Sequence, residues 1–204
     1  LLERFRAVAS DLFPPGMRAL VGYSGGPDST CLVHLMHRCG LDIVAAHLHH
    51  GQREEADLEL KLGEAWCESI GVPFLSGRAN VPQIAEQFGI GLEEAGRQAR
   101  YSFFEQAAGR LDCSHIVTAH TSDDHVETIL LNLTRGTGMS GLRGIPQSRG
   151  AVLRPILSLS REETKAYCEQ HDLWTHDDPA NSDLKFSRAR IRHKVMPELE
   201  FINP

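Results

Sequence analysis

Six consecutive residues, Ser24-Gly25-Gly26-Pro27-Asp28-Ser29, combine two hydroxyls, two glycines, a proline and a carboxylate. Gly25 and Gly26 have no side chains, so their backbone N–H groups can meet an anion at close range. A helix starting just after them adds its positive end. Ser24 and Ser29 supply hydroxyl donors, and Pro27 suits a first helical turn, where its missing N–H costs little. The run has no lysine and does not fit the Walker pattern GxxxxGKS/T. GxGxxG is absent too, so neither an ordinary NTPase clamp nor a dinucleotide turn is indicated. A bare carboxylate beside polyphosphate is repelled, but Mg2+ takes carboxylate and phosphate oxygens together. Asp28 is therefore a candidate Mg2+ ligand. The plainer reading is that it complements the helix dipole, worth about 0.3–1 kcal/mol.

Other candidates lie further along. Asp124 and Glu127 are three apart and share a helix face, with His120 four residues before Asp124. Two carboxylates on one face repel unless a cation joins them; a metal or a substrate ammonium would supply it, and one acid would serve as a base for an amine. The plainer reading is an acidic first turn favouring the dipole. His47 and His49 share a strand face, for nucleotide contact or for packing. Arg97 and Arg100 share a helix face; Glu93, four before Arg97, offers an ion pair, while Gly96 leaves Arg100 without one, so Arg100 is the better candidate to meet phosphate. The glycine-rich run from Arg135 and Gly136 to Gly144 reads as a loop, either a cover for a site or a connector. Lys185 to Lys194, containing Arg188, Arg190 and Arg192, is basic with no acid, which suits an RNA backbone contact or a solvated helix.

The elements that must position these residues follow from periodicity. Strands are predicted over 19–23, 43–48, 72–75 (with Pro73 lowering it to an edge), 114–120 and 151–157; helices over 29–39, 55–70, 92–109, 123–133 with Ser122 as N-cap, and 161–171. Strand–helix alternation implies an α/β, Rossmann-like parallel sheet sandwiched by helices. Ligands then gather at the C-terminal strand ends, where Ser24, His47 and His120 fall.

The 204 residues, 41% hydrophobic, suffice for one sizeable core. With 21 Lys+Arg against 27 Asp+Glu the net charge is −6, so any nucleic-acid contact must come from a local basic patch. The five cysteines are scattered without a CxxC pair, which argues against a disulfide framework or a cysteine metal site and fits a reducing cytoplasm. No apolar run is long enough for a membrane span.

Ser24 to Ser29 resembles the SGGxDS loop of the PP-loop ATP pyrophosphatases. More specific matches extend from residue 20 almost to the end. His47 to Arg53 resembles HxxHGxR, Gly96 to Tyr101 ARxxRY, and Thr118 to Thr128 TAHxxDDQxET. Arg135 to Leu142 resembles RGxGxxGL, Arg154 to Leu157 RPLL, Asp178 to Asn181 DPSN and Arg188 to Arg192 RNxIR. All are motifs of the tRNA(Ile)-lysidine synthetase family; His125, Gly96 and Ala189 depart from them, and Ala189 weakens any polar role there.

This resemblance implies an adenine nucleotide alpha-hydrolase-like fold and ATP-dependent joining of free lysine to carbon 2 of the wobble cytidine in the CAU anticodon of tRNA(Ile), through an adenylated intermediate. It implies ATP contacts by Ser24, Gly25, Gly26, Pro27, Asp28, Ser29, Ala46 and His47, with Mg2+ on Asp28. It implies catalytic parts for Asp28, Arg100, His120, Asp124 and Glu127. It further implies lysine or tRNA contacts by Asp124, Glu127, Arg97, Arg135, Gly136, Arg188, Arg190 and Arg192. Residues 1–184 would form the catalytic domain. Residues 185–204 would be a basic extension toward a tRNA-binding domain, and a chain opening on Leu1 reads as a fragment. A homodimer is compatible with it. The alternatives are another PP-loop tRNA-modifying enzyme, such as a thiolase, or a nucleotide-binding module without catalysis.

Overall fold

Apolar residues on both faces of the central strands set the architecture of the computed structural model, which describes residues 1–49, 55–176 and 183–203, without the side chains of 55 and 56. In β1 (Arg18–Gly22), Ala19 and Val21 face one layer while Leu20 faces the other, and all three are buried. β2 (Asp42–His49) divides likewise, with Ile43 and Ala45 on the first side and Val44 and Ala46 on the second. Strands buried on both faces are the mark of a parallel sheet covered by helices.

The sheet has six strands in the order β3-β2-β1-β4-β6-β5. β3 (Phe74–Arg78), β4 (His115–Val117) and β6 (Val152–Leu153) run parallel to their neighbours, while β5 (Ser148–Arg149) forms an antiparallel edge with β6. Among the helices of the first layer are α1 (Leu2–Leu12), α2 (Pro27–Arg38) and α7 (Arg161–Gln170); α2 and α7 pack on each other. α5 (Leu92–Arg110) packs Phe104, Ala107 and Ala108 against the second face. Gly22 lets it approach: a Cβ there would lie 2.8 Å from the Phe104 ring. The remaining described elements are α3 (Glu55–Ser69), α4 (Val81–Phe88), α6 (Ser122–Thr134), a 3-10 turn at Gly141–Arg143, and a tail of α8 (Ser187–Arg190), a π-turn (Ile191–Val195) and α9 (Met196–Ile202). None of the described helices is long and apolar enough to cross a membrane.

The α/β expectation holds, with differences at element ends. The strand expected over 72–75 is 74–78, at the sheet edge as Pro73 requires; the Pro73 carbonyl accepts from the Ala45 N–H. The strand expected over 114–120 ends at Val117 and the one over 151–157 at Leu153, because β6 offers only two residues of ladder. The Thr118 N–H makes the last bond to β6, at the Leu153 carbonyl, and Ala119 and His120 lie beyond the strand end. The N-cap of α6 is Thr121, not Ser122. Its hydroxyl accepts from the Asp124 N–H, while the Asp124 carboxylate accepts from the Thr121 N–H at 2.9 Å, a capping box. Ser122 instead donates to the Leu159 carbonyl.

Candidate active site

Strand order reverses between β1 and β4, and the connections leaving these strands diverge to open a crevice at their C-terminal ends. Ser24 to Ser29 line one side. Gly25 has φ +80°, a left-handed conformation that suits glycine, and a Cβ there would sit 3.2 Å from Trp174. The Gly25 carbonyl accepts from the His176 N–H at 2.8 Å, so the chain after α7 packs over the loop. Ser29 holds the turn closed: its hydroxyl donates to the Gly26 carbonyl at 3.0 Å and accepts from the Ser24 N–H at 3.1 Å. Pro27 falls in the first turn of α2, as its type suggests; Gly26 is the N-cap, so the helix starts two residues before the expected Ser29. Behind the loop, the Tyr23 N–H donates to the Ala46 carbonyl at 2.8 Å, and His47 Nδ1 lies 3.0 Å from the Tyr23 carbonyl. Burial pushes the His47 imidazole down to about 4, against that carbonyl contact, so it is neutral at physiological pH.

The other side is α6. Asp124 and Glu127 do point together, but the cation joining them belongs to the chain. Arg161, at the start of α7, donates to Asp124 Oδ1 and to Glu127 Oε1, both at 2.5 Å, and its Nε lies 3.8 Å from Asp28 Oδ2. One guanidinium thus ties the glycine loop to the acids of α6. Arg161 lies between the two acids, where the sequence reading puts a metal or a substrate ammonium. Arg161 was not singled out in the sequence. Its only signal is a basic residue following Ser160 at a helix start, and nothing local marks its three partners.

Arg192 completes the cluster. Expected to face RNA with Arg188 and Arg190, it instead turns inward, donating through Nε to Glu127 Oε1 at 2.7 Å. Glu127 is fully buried. Burial pushes its carboxyl up, but hydrogen bonds from Arg192 and Arg161 outweigh this and hold it below the usual carboxylate range. For Asp124, burial is likewise outweighed, by Arg161 and the Thr121 N–H, and the net direction is down. Asp28 behaves oppositely. Burial pushes it up to about 6, the bond from the Thr164 hydroxyl only partly offsets that, and Asp124 pushes it further. His120 sits between the two sides, its Nδ1 2.9 Å from the Thr118 hydroxyl. Burial drives it down to about 4 against the pull of Asp124, helped by Arg154, Arg188 and Arg97.

The remaining candidates lie around this centre. Arg97 stacks on Tyr101, 5.1 Å from its ring centre, and does not pair with Glu93. Glu93 meets Arg188 instead, at 3.7 Å, and Arg188 also donates to Thr128 at 3.3 Å. Arg100 is exposed, and its charge reaches His47. Arg135, Gly136 and Arg190 are exposed too. The basic tail nevertheless packs on the body, burying Ala189 and Ile191. The HxxHGxR and DPSN-like matches fall largely on residues 50–53 and 178–181, outside the described residues.

A family model described as a PP-loop domain matches residues 3–199. Among curated relatives, the tRNA(Ile)-lysidine synthase of Clostridium tetani (strain Massachusetts / E88) is 38% identical over 91% of this chain and 41% of its own length. That of Geobacter sulfurreducens (strain ATCC 51573 / DSM 12127 / PCA) is 37% identical over 100% and 45%. The chain therefore spans less than half the length of these relatives. Among solved structures, a U34-tRNA thiolase from Methanococcus maripaludis aligns with TM-score 0.77 at 16% identity, over 99% of this chain and 74% of that one. An NH3-dependent NAD synthetase from Campylobacter jejuni aligns with TM-score 0.59 at 18% identity, over 97% and 82%. These two likenesses concern the fold alone.

Proposed function

From the premise that the chain belongs to the PP-loop family, we propose that it carries the ATP-dependent chemistry of a tRNA(Ile)-lysidine synthetase. In this reading the cytosine carbonyl oxygen of the wobble cytidine, in a CAU anticodon, attacks the α-phosphorus of ATP and pyrophosphate departs. The amine of free lysine then attacks carbon 2, the C–O bond breaks, and AMP leaves. The observation that carries the proposal is Arg161, which brings Asp28 of the glycine loop and Asp124 and Glu127 of α6 into one site at the crevice.

Ser24, Gly25, Gly26 and Ser29, at the start of α2, would hold the departing pyrophosphate through N–H and hydroxyl donors and the helix end. Pro27 opens that helix. Ala46 and His47 lie beside the loop, where the nucleoside would rest. Asp28 fits a Mg2+ site: a hard oxygen donor whose buried charge is incompletely compensated is what a divalent cation on polyphosphate would stabilise. When bound, Mg2+ supplies neutralisation of the phosphate charge.

Asp124 and Glu127 are held as anions at neutral pH, so they suit gripping a cation better than taking up a proton. They would position the lysine ammonium, Asp124 directly and Glu127 through the Arg161–Arg192 network. His120, neutral and at the crevice, would hydrogen-bond the base or nucleotide. Arg100 would meet the activated base or phosphate. Arg97, Arg135, Gly136, Arg188 and Arg190 would face RNA.

The test is AMP release with ATP, Mg2+, lysine and a CAU-anticodon tRNA. Release that requires both lysine and this tRNA supports the proposal. Release with another nucleophile points to a different PP-loop chemistry, and ATP binding without turnover to a binding module. Asp28→Ala abolishes turnover in this scheme; a fully active variant refutes its metal role.

A further inference from the structure

On the α5 face, away from the glycine loop, lies a pocket of about 310 Å3 lined by Glu94, Arg97, Gln98, Tyr101, Arg149 and Arg154, with Val152 at its side. Its charge is unbalanced. Three guanidiniums face one carboxylate, and Glu94 already accepts from Gln98 Nε2 at 3.1 Å. None of the three arginines is ion-paired among the described residues; Arg97 lies on the Tyr101 ring. The Arg154 side chain is only 5% exposed, its Nη1 donates to the Pro146 carbonyl at 2.9 Å, and its Nε has no hydrogen-bond partner among the described residues. That Nε is closed off from the pocket; what the pocket offers a ligand is the excess of guanidiniums over carboxylates in its lining.

The ligand should be a phosphate. Guanidiniums pair with phosphate oxygens in bidentate fashion, and three of them together in a chain of net charge −6 form a local anion site. The polyphosphate of ATP is not its natural occupant, because the glycine loop opens α2, and α2 packs on the opposite sheet face from α5. The pocket does border the reaction centre: Arg154 follows β6 directly, and its charge and that of Arg97 both reach His120. The exposed plane of Arg97 on Tyr101 offers a stacking surface of the kind single-stranded bases use.

We propose that this pocket binds a phosphodiester of the anticodon loop adjacent to the cytidine being modified, through Arg149 and Arg154, with Arg97 beside them. It rests on the proposed function above. The pocket therefore positions tRNA and does not take part in bond making.

Arg149 is exposed, so Arg149→Glu tests the idea without opening the core; Arg154→Gln, checked for folding by its melting curve, is the second variant. In the full chain, Arg149→Glu should raise KM for tRNA about tenfold, the loss of one charge-assisted contact, and leave KM for ATP unchanged. The slope of log binding constant against log salt should fall by about one. An unchanged KM for tRNA overturns the proposal, and so does a KM for ATP that rises in step, which would assign the pocket to the nucleotide. Should wild-type protein form no lysidine at all, the proposed function fails instead. Binding of a CAU anticodon stem-loop RNA to wild type and to Arg149→Glu then reads the pocket directly: equal affinities overturn it, and a loss in the variant upholds it.

Discussion

The glycine loop and the acid cluster are neighbours built in opposite ways. The turn from Ser24 to Gly26 is local: it closes on itself through Ser29 by bonds spanning five residues or fewer, while the later chain reaches the loop at His176, at Thr164 on Asp28 and at Cys168 on the Pro27 carbonyl. The acid cluster is assembled from distant chain. Asp28, Asp124, Glu127, Arg161 and Arg192 meet only in three dimensions, across separations of up to 133 residues between Asp28 and Arg161. The loop is held by neutral hydrogen bonds and backbone conformation, the cluster by buried charge. A local turn tolerates the loss of one bond, whereas a buried charge network leaves an uncompensated ion when one member goes.

The comparison is tested most severely by Arg161→Leu. It removes the guanidinium shared by three acids and should destabilise the protein by about 3–5 kcal/mol in urea denaturation at pH 7. Ser29→Ala, which removes a loop hydroxyl, should cost about 1 kcal/mol. Equal costs would break the distinction between the two regions.

Acid titration sharpens it next. The Asp28 carboxyl is pushed up to about 6, so between the unfolded carboxyl range and that value the folded state holds more protons. Its contribution is therefore lost as pH rises through that window. Asp28→Asn should flatten that part of the stability profile and raise stability at pH 7 by about 2 kcal/mol. Glu127 is held below its usual range, so its contribution is present above the unfolded value and disappears as pH falls through the folded one. Glu127→Gln should weaken the protein at pH 7 and flatten the acid limb. A common pH response of the two variants would refute the opposed environments.

Gly25→Ala comes third, with an expected cost of about 1–2 kcal/mol from a left-handed backbone and the Trp174 contact. Gly26→Ala, at φ −72°, should cost less than half as much. Thr121→Ala, which removes the cap of α6, should lower stability by about 1 kcal/mol. Larger loss would mean that the cap also sets the position of Asp124 in the cluster, which activity measurements on the same variant would reveal.

Legibility followed the same division. Gly25, Gly26, Pro27 and Asp28 announce their conformation and chemistry by type and order, because a turn and a helix start are decided by neighbouring residues. Asp124 and Glu127 were legible as a pair for the same reason, being one turn apart. The N-cap was misplaced by one residue, since Thr121 and Ser122 are equally good caps in sequence and only the Leu159 carbonyl, far along the chain, draws Ser122 away. Helices α1 and α4 went unread, as did β5, which at two residues is too short to carry a period.

What sequence alone determined was the alternation of buried strands and helices, the anion-seeking loop and the acids that face the same crevice. Each is encoded within a few residues by apolar spacing or backbone freedom. Only the tertiary structure decided what neutralises those acids. Charge pairing acts through space, so the partners Arg161 and Arg192 are chosen by where α7 and the C-terminal tail come to rest against α6, and that placement is a property of packing rather than of any local pattern.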